Sequence, residues 1–185
     1  DQPTIDGVNT FFVSKIAKSL GMKVAISGLG VDELFGGYRH FKTIPKMISM
    51  MKIFDRLNIS GHYIRTFLSN HLNKYISPKY SSIIEYGKTI SNAYFLHRSL
   101  FLPWELNYFF NQETITEGLK ELNLFENLNK TINYNQTERD QISSLEMNWY
   151  MRNQLLRDTD WASMGNSLEV RVPFLDIDLI ESINN

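Results

Sequence analysis

The chain has 185 residues, of which 43% are hydrophobic and 13% aromatic. This is enough apolar material for one packed domain and excludes a disordered or fibrous protein. Its 19 basic and 20 acidic residues leave a net charge of -1, so no overall field attracts nucleic acid or an anionic membrane. The chain contains no cysteine, and no apolar run approaches the ~18 residues that span a bilayer. We expect a cytoplasmic protein with neither nucleic-acid nor membrane partners.

Charge is distributed unevenly along the chain. Residues 1–79 contain 11 Lys and Arg against 5 Asp and Glu, so the remainder is acidic. We interpret this difference as two solvated faces of opposite charge that attract each other within one domain. The alternative is a site for an anion in the basic half.

The first predicted element is a helix, in which Asp6 is the expected N-cap and Gly21 the expected stop. Its apolar residues recur near the helical spacing: Val8, Phe11, Phe12, Ala17 and Leu20. The short apolar run Met22–Ile26 then predicts a buried parallel strand, and Ser27-Gly28-Leu29-Gly30 ends it. Ligands of open parallel sheets bind just beyond such strand ends.

The rest of the chain is mainly helical by its pattern. Candidate helices lie near Pro45–Phe54, Ser60–Tyr75, Ser81–Thr89, Thr114–Leu122 and Asp140–Leu156. The aromatic segment Phe101–Phe110 is expected to be a buried connector, with a partner-docking patch as the alternative.

A second alternating run, Leu168–Phe174, is too short and too interrupted by Pro173 to be a central strand. Met22–Ile26 is then the single convincing strand, although a parallel strand needs neighbours. We therefore expect the rest of the sheet to lie outside this chain.

The segment Ser27–Tyr38 carries the strongest chemical signal, because it contains four of the ten glycines. Gly28 and Gly30 would let backbone N–H groups approach a phosphate at the start of the following helix. The adjacent carboxylate of Asp32 fits such a site if Mg²⁺ lies between it and the phosphate oxygens. A structural glycine turn with a helix-capping aspartate is the alternative.

A second cluster of charges follows in Arg157–Met164 and continues with Glu169, Arg171 and Asp176. So many charged residues beside Pro173 are more typical of a brace, meaning buried ion pairs that support the structure, than of a catalytic centre. The four histidines show no spacing typical of metal ligands.

Both segments resemble the synthetase domain of glutamine-hydrolysing asparagine synthetases. The first carries the resemblance as Asp1-x-Pro3-Thr4-x-Asp6-Gly7 and Lys23-Val24-Ala25-Ile26-Ser27-Gly28-Leu29-Gly30-Val31-Asp32-Glu33-Leu34-Phe35-Gly36-Gly37-Tyr38. The second carries it as Leu156-Arg157-Asp158-Thr159-Asp160-Trp161-Ala162-Ser163-Met164 and Ser167-Leu168-Glu169-Val170-Arg171-Val172-Pro173-Phe174-Leu175-Asp176.

The resemblance implies an α/β fold of the adenine nucleotide alpha-hydrolase-like, ATP pyrophosphatase type, of which this segment is the mainly α-helical part with one or two short strands. It also implies that ATP and Mg²⁺ adenylate a carboxylate acceptor, aspartate or a related compound. Ammonia from an upstream glutaminase domain then forms the amide and releases AMP. Within residues 1–185 we expect a partial domain that lacks the pyrophosphate loop, the glutaminase domain and the C-terminal tail.

The resemblance also implies roles for individual residues. Ser27, Gly28 and Gly30 would contact the nucleotide. Asp32 would hold the Mg²⁺–pyrophosphate and act in catalysis with Glu33. A structural brace of the site would consist of Asp160, Glu169, Arg171 and Asp176.

Two substitutions depart from the family pattern. Leu29 stands where synthetases acting on free aspartate have a glutamate, and Trp161 stands where a basic residue is usual. Both substitutions resemble those of a divergent branch of the family. The identity of the carboxylate acceptor is therefore left open. The alternatives are intramolecular amide closure, as in beta-lactam or macrolactam synthetases, and a non-catalytic helical interaction module. With its sheet incomplete, the chain alone is expected to self-associate or to be poorly stable.

Overall fold

The computed structural model describes residues 4–55 and 82–184. These fall into two compact units, one formed by Asp1–Tyr38 with Glu146–Asn185 and the other by Arg39–Leu145. The helix expected at Ser60–Tyr75 lies outside the described residues. None of the helices in the described ranges is both long and apolar enough to cross a membrane.

The unit that contains both chain ends carries the two strands. Its elements are α1 (Ile5–Ser19), β1 (Val24–Ile26), α2 (Val31–Phe35), a π-helix (Glu146–Leu156), α9 (Arg157–Met164), β2 (Glu169–Arg171), a 3-10 turn (Pro173–Leu175) and α10 (Ile177–Asn184). The other unit contains α3 (His40–Asp55), α4 (Ile83–Tyr86), α5 (Ile90–Arg98), a 3-10 helix (Pro103–Tyr108), α6 (Gln112–Leu122), α7 (Leu124–Thr131) and α8 (Glu138–Leu145). The described residues are therefore mainly helical with two short strands, as the sequence predicts.

The first helix begins earlier than predicted. Thr4, not Asp6, is its N-cap, because the Thr4 side chain accepts a hydrogen bond from the Gly7 N–H in extended backbone geometry. Asp6 lies instead in the first turn, where its negative charge favours the helix N-terminus. α1 packs along α9.

The expectation of a solitary strand was wrong. β1 pairs in parallel with β2, with Val24, Ala25 and Ile26 opposite Glu169, Val170 and Arg171. Pro173 does not prevent this pairing because the strand ends at Arg171, before the proline. Val24 and Ile26 nevertheless remain 43% and 79% exposed, so the apolar faces expected to lack cover do lack it among the described residues.

The core of the Arg39–Leu145 unit is formed where α3, α5 and α8 pack together. Its fully buried side chains include Ile44, Leu96, Ile142 and Leu145. α3 starts at His40 rather than at Pro45, which lies inside the helix. Buried apolar residues recur at helical spacing and begin before the proline, which explains the earlier start: Phe41, Ile44, Met47, Ile48 and Met51.

Three other predicted segments also differ in detail. The helix expected over Ser81–Thr89 is only the short α4, which Gly87 terminates. The helix expected over Asp140–Leu156 is present as α8 followed by the π-helix. The aromatic connector was wrongly expected to be buried, since Tyr108, Phe109 and Phe110 are more than half exposed around a 3-10 helix.

Candidate functional site

The glycine loop begins where the two parallel strands end side by side. The Ser27 N–H continues the ladder by donating to the Arg171 carbonyl oxygen at 2.8 Å. The half-buried Ser27 hydroxyl accepts a hydrogen bond from the Leu29 N–H at 3.3 Å, which turns the chain away from the strand. Gly28 is exposed at the tip of this turn. The carboxyl end of β1 thus presents a short loop, the position at which parallel sheets bind ligands.

Gly30 joins this loop to the later motif through close packing. Its φ of 96° lies in the left-handed region, where a side chain is strained. A Cβ on Gly30 would lie 2.6 Å from Leu175 Cδ2 and 3.3 Å from Phe174 Cβ. The loop therefore requires glycine both for its backbone angle and for the approach of the Pro173–Leu175 turn.

Asp32 lies in the first turn of α2, a helix of only five residues. The helix closes at once because the Gly36 and Gly37 N–H groups donate to the Asp32 carbonyl oxygen at 2.9 and 3.0 Å. The Asp32 side chain itself is exposed. One of its carboxylate oxygens lies against Gly37, where a Cβ would be 1.9 Å from Asp32 Oδ1.

Glu33, the neighbour of Asp32, has the opposite environment. Its side chain is 1% exposed and accepts a hydrogen bond from the Tyr38 hydroxyl at 2.7 Å. The Tyr38 ring packs edge-on against Tyr150 of the π-helix, with ring centroids 6.3 Å apart. Glu33 thus anchors α2 from within the unit, while Asp32 faces solvent.

A charged residue that the sequence patterns did not single out ties the two motifs together. Asp158 is 1% exposed and accepts hydrogen bonds from Trp161 Nε1 at 3.3 Å and from an Arg157 guanidinium nitrogen at 3.1 Å. It also accepts a short hydrogen bond from the Thr4 hydroxyl. The signal available in the sequence was the presence of Thr4 in one motif and Asp158 in the other.

Close packing reinforces this connection. A Cβ on Gly7 would lie 2.5 Å from Trp161 Cζ2, so the Trp161 indole rests directly on the α1 backbone. Trp161, which stands where a basic residue is usual in the family, therefore packs against α1. Its indole N–H is used to bond Asp158.

The four residues expected to brace the site are placed differently from one another. Glu169 and Arg171 form an ion pair of 2.8 Å along β2, with both side chains more than half exposed. Asp160 is exposed on α9. The exposed Asp176 accepts a hydrogen bond from the Leu179 N–H at 3.2 Å and so caps α10. Only Glu169 and Arg171 are brought into direct contact.

The donors present are compatible with Mg²⁺ delivered together with phosphate. No group of three His, Asp or Glu within residues 4–55 and 82–184 forms a ready metal site. Mg²⁺ is typically held by one or two carboxylates plus substrate phosphates, and it keeps several waters. Asp32, an exposed residue in the first turn of the helix that follows the glycine loop, offers a donor of that kind.

The glycine loop thus lies at the carboxyl end of a parallel strand pair, where open α/β sheets bind their ligands, and packs against a second motif from far along the chain. The model of the asparagine synthase family matches residues 1–185. The chain therefore belongs to the asparagine synthase family.

Individual relatives agree with this family. Glutamine-hydrolysing asparagine synthetase 1 of Bacillus subtilis is 29% identical over 190 residues, which cover 95% of this chain and 27% of the relative. A putative glutamine-hydrolysing asparagine synthetase of Mycobacterium tuberculosis is 28% identical over 189 residues, or 95% of this chain and 26% of the relative.

A more local similarity links the chain to glutamine-hydrolysing asparagine synthetase of Zea mays, with 54% identity over 35 residues, 19% of this chain and 6% of the relative. No solved structure matches the chain. The chain thus spans about a quarter of the length of the relatives that it matches over most of its own length.

Proposed function

We propose that the complete protein is an ATP-dependent amide-forming ligase. A carboxylate oxygen of the acceptor attacks the α-phosphorus of ATP, the bond to the β-phosphate breaks, and pyrophosphate leaves. Ammonia then attacks the acyl carbon of the adenylate. The amide forms, AMP leaves with the bonding electron pair, and the nitrogen loses a proton to solvent.

The observation that carries this proposal is the joining of two family motifs at one loop. The Ser27–Gly30 turn follows β1, and Gly30 packs on Leu175 of the later motif. An ATP pyrophosphatase fold, with further parallel strands beside β1, would account for the exposed apolar side chains of Val24 and Ile26.

Within this proposal the loop residues have distinct tasks. Ser27, Gly28 and Gly30 form the turn against which the nucleotide lies. Asp32, which is exposed, would hold Mg²⁺, and the metal would neutralise the charge that develops on the departing pyrophosphate. Glu33 was expected to act in catalysis; its burial and its bond to Tyr38 support a positioning role, in which it fixes α2 and hence Asp32.

The acceptor is proposed to be aspartate or a related carboxylate. Leu29 is half-buried in the loop and can neither accept a proton nor hold a cation. Because of this residue we keep related carboxylates beside free aspartate, and intramolecular amide closure is the second candidate.

The source of nitrogen follows from the relatives, which are named as glutamine-hydrolysing. We propose a glutaminase domain as the ammonia donor. Because the reaction consumes ATP, we propose a cytoplasmic location.

The experiment is to measure pyrophosphate and AMP formation by the complete protein with a panel of carboxylates, with glutamine or ammonium as nitrogen source. We expect Asp32→Asn to lower pyrophosphate release at least about a hundredfold, which corresponds to roughly 2.7 kcal/mol of transition-state stabilisation. The matched control is Asp178→Asn, an exposed aspartate in the first turn of α10.

The outcomes separate the candidates. Activity that needs neither glutamine nor ammonium supports intramolecular closure. An interaction module would release no pyrophosphate with any carboxylate. Equal activity of Asp32→Asn and the wild type would remove Asp32 from the site.

A further inference from the structure

A cleft of about 580 Å³ opens in the Arg39–Leu145 unit, along one face of α3. Small-molecule sites typically have volumes of about 300–1,000 Å³. Residues of α3 at helical spacing line the cleft together with Ile83 of α4 and His97 of α5. The residues that line the cleft belong to this unit, whereas the Ser27–Gly30 loop belongs to the other one.

The lining of the cleft carries one sign of charge. Of the eight described residues that line the cleft, four are basic: Arg39, His40, Lys46 and His97. Among the described residues that line the cleft, none is acidic. Because Arg39 and Lys46 carry permanent positive charge near neutral pH, the cleft attracts anions.

Polar groups at the wall are ordered rather than loosely placed. The Thr43 hydroxyl lies 3.2 Å from His97 Nε2, within hydrogen-bond distance. The His40 ring stacks on Phe41, with centroids 5.3 Å apart and an interplanar angle of 21°, and it lies 5.9 Å from the His97 ring. His40 Nε2 is buried. The Thr43 hydroxyl and the two imidazoles thus form one group of polar side chains in the lining that also contains Arg39 and Lys46.

The remainder of the lining is apolar and adaptable. Met47 is buried, whereas Met50 is 54% exposed and Ile83 is half-buried. Unbranched thioether side chains fill irregular gaps and adjust to different ligand shapes. An inorganic anion would leave this surface uncovered, but an anion with a hydrocarbon portion would cover it.

We propose that this cleft binds a small organic anion, with its carboxylate or phosphate held by Arg39 and Lys46 and its apolar portion on Met47, Met50 and Ile83. This inference goes beyond the proposed ligase reaction and does not depend on it. The cleft also provides a place for the anion site that the excess of basic residues in the first half of the sequence suggested.

Isothermal titration of the complete protein with octanoate, inorganic phosphate and 1-octanol tests the proposal. Octanoate supplies both parts of the ligand, whereas phosphate supplies only the charge and octanol only the chain. We expect saturable octanoate binding at least about tenfold tighter than that of either other probe.

Two sets of variants assign the binding to the cleft. We expect Arg39→Gln with Lys46→Gln to weaken octanoate binding at least about tenfold. Lys42→Gln with Lys52→Gln, exposed lysines of the same helix outside the cleft lining, is the charge-matched control and should leave the affinity unchanged. Met50→Gln should weaken octanoate but not phosphate.

All of these substitutions are at exposed positions, so the fold is expected to survive, and circular dichroism verifies it. Absence of saturable octanoate binding would overturn the proposal. Unchanged affinity in the Arg39 and Lys46 double variant, or an equal loss in the lysine control, would also overturn it.

Discussion

The Thr4 hydroxyl donates a hydrogen bond to the carboxylate of Asp158, 154 positions away in the sequence. The same Thr4 oxygen accepts the Gly7 N–H at 2.9 Å and so caps α1. One side chain therefore starts the first helix and attaches it to α9. This bond joins the beginning of the chain to its later motif, in addition to the pairing of β1 with β2.

Asp158→Ala should lower the free energy of unfolding by roughly 1–3 kcal/mol, the usual cost of leaving hydrogen-bond donors unpaired. The donors of Thr4, Arg157 and Trp161 lose their buried acceptor, although these three side chains are themselves partly exposed. Urea denaturation measures the change. Asp160→Ala is the matched control, because this exposed aspartate of the same helix should cost no more than about 0.5 kcal/mol. Equal losses in the two variants would contradict the assignment.

Gly30→Ala should destabilise the protein by roughly 1–3 kcal/mol, because its φ of 96° is strained for alanine and the new Cβ meets Leu175. Leu175→Ala in the same chain should recover the steric part of the loss but not the backbone strain. Thermal unfolding provides the measurement. At Gly28 a Cβ would meet nothing within 4 Å, so Gly28→Ala is the control, and an effect as large as that at Gly30 would refute the packing argument.

Ser27→Ala should raise the KM for ATP several-fold and change kcat less. The substitution removes the acceptor of the Leu29 N–H, so the turn that faces the nucleotide loses its local constraint. Steady-state pyrophosphate release at varied ATP gives both constants. Ser19→Ala, which alters a hydroxyl bonded to the Ile16 carbonyl at the end of α1, should leave both unchanged. A fall in kcat alone would show that Ser27 acts in the chemical step.

The 185-residue chain by itself should associate in a concentration-dependent manner or unfold with little cooperativity. Exposed apolar side chains follow one another along α1 and β1: Ile5, Val8, Phe12, Val13, Ile16, Leu20, Val24 and Ile26. Burying such a side chain contributes about 1.5–3 kcal/mol, so several together favour association.

Sedimentation velocity over a range of concentrations measures this association. Ile16→Lys with Ile26→Lys should reduce it, whereas Ile177→Lys, at an exposed position on α10, should not. A dilution-resistant monomer with a cooperative melt would contradict the prediction.

The sequence by itself determined the features that depend on neighbouring residues. The helical spacing of α1, its stop at Gly21 and the loop at Ser27–Gly30 follow from local backbone preferences. The residues of the two motifs, in their order along the chain, also resembled the asparagine synthase family, and the match over residues 1–185 shows that the chain belongs to it.

Tertiary structure decided what depends on partners distant in the chain. The alternating run at Leu168–Phe174 became a strand because the backbone of β1 was available to pair with it. Likewise, Asp32 and Glu33 are adjacent carboxylates that the sequence alone treats alike. On a helix, successive side chains point about 100° apart. Because one face of α2 packs against the π-helix, Glu33 is buried while its neighbour Asp32 is exposed. The same geometry separates the buried Asp158 from the exposed Asp160, since only a packed neighbour determines which face of a short helix is turned inward.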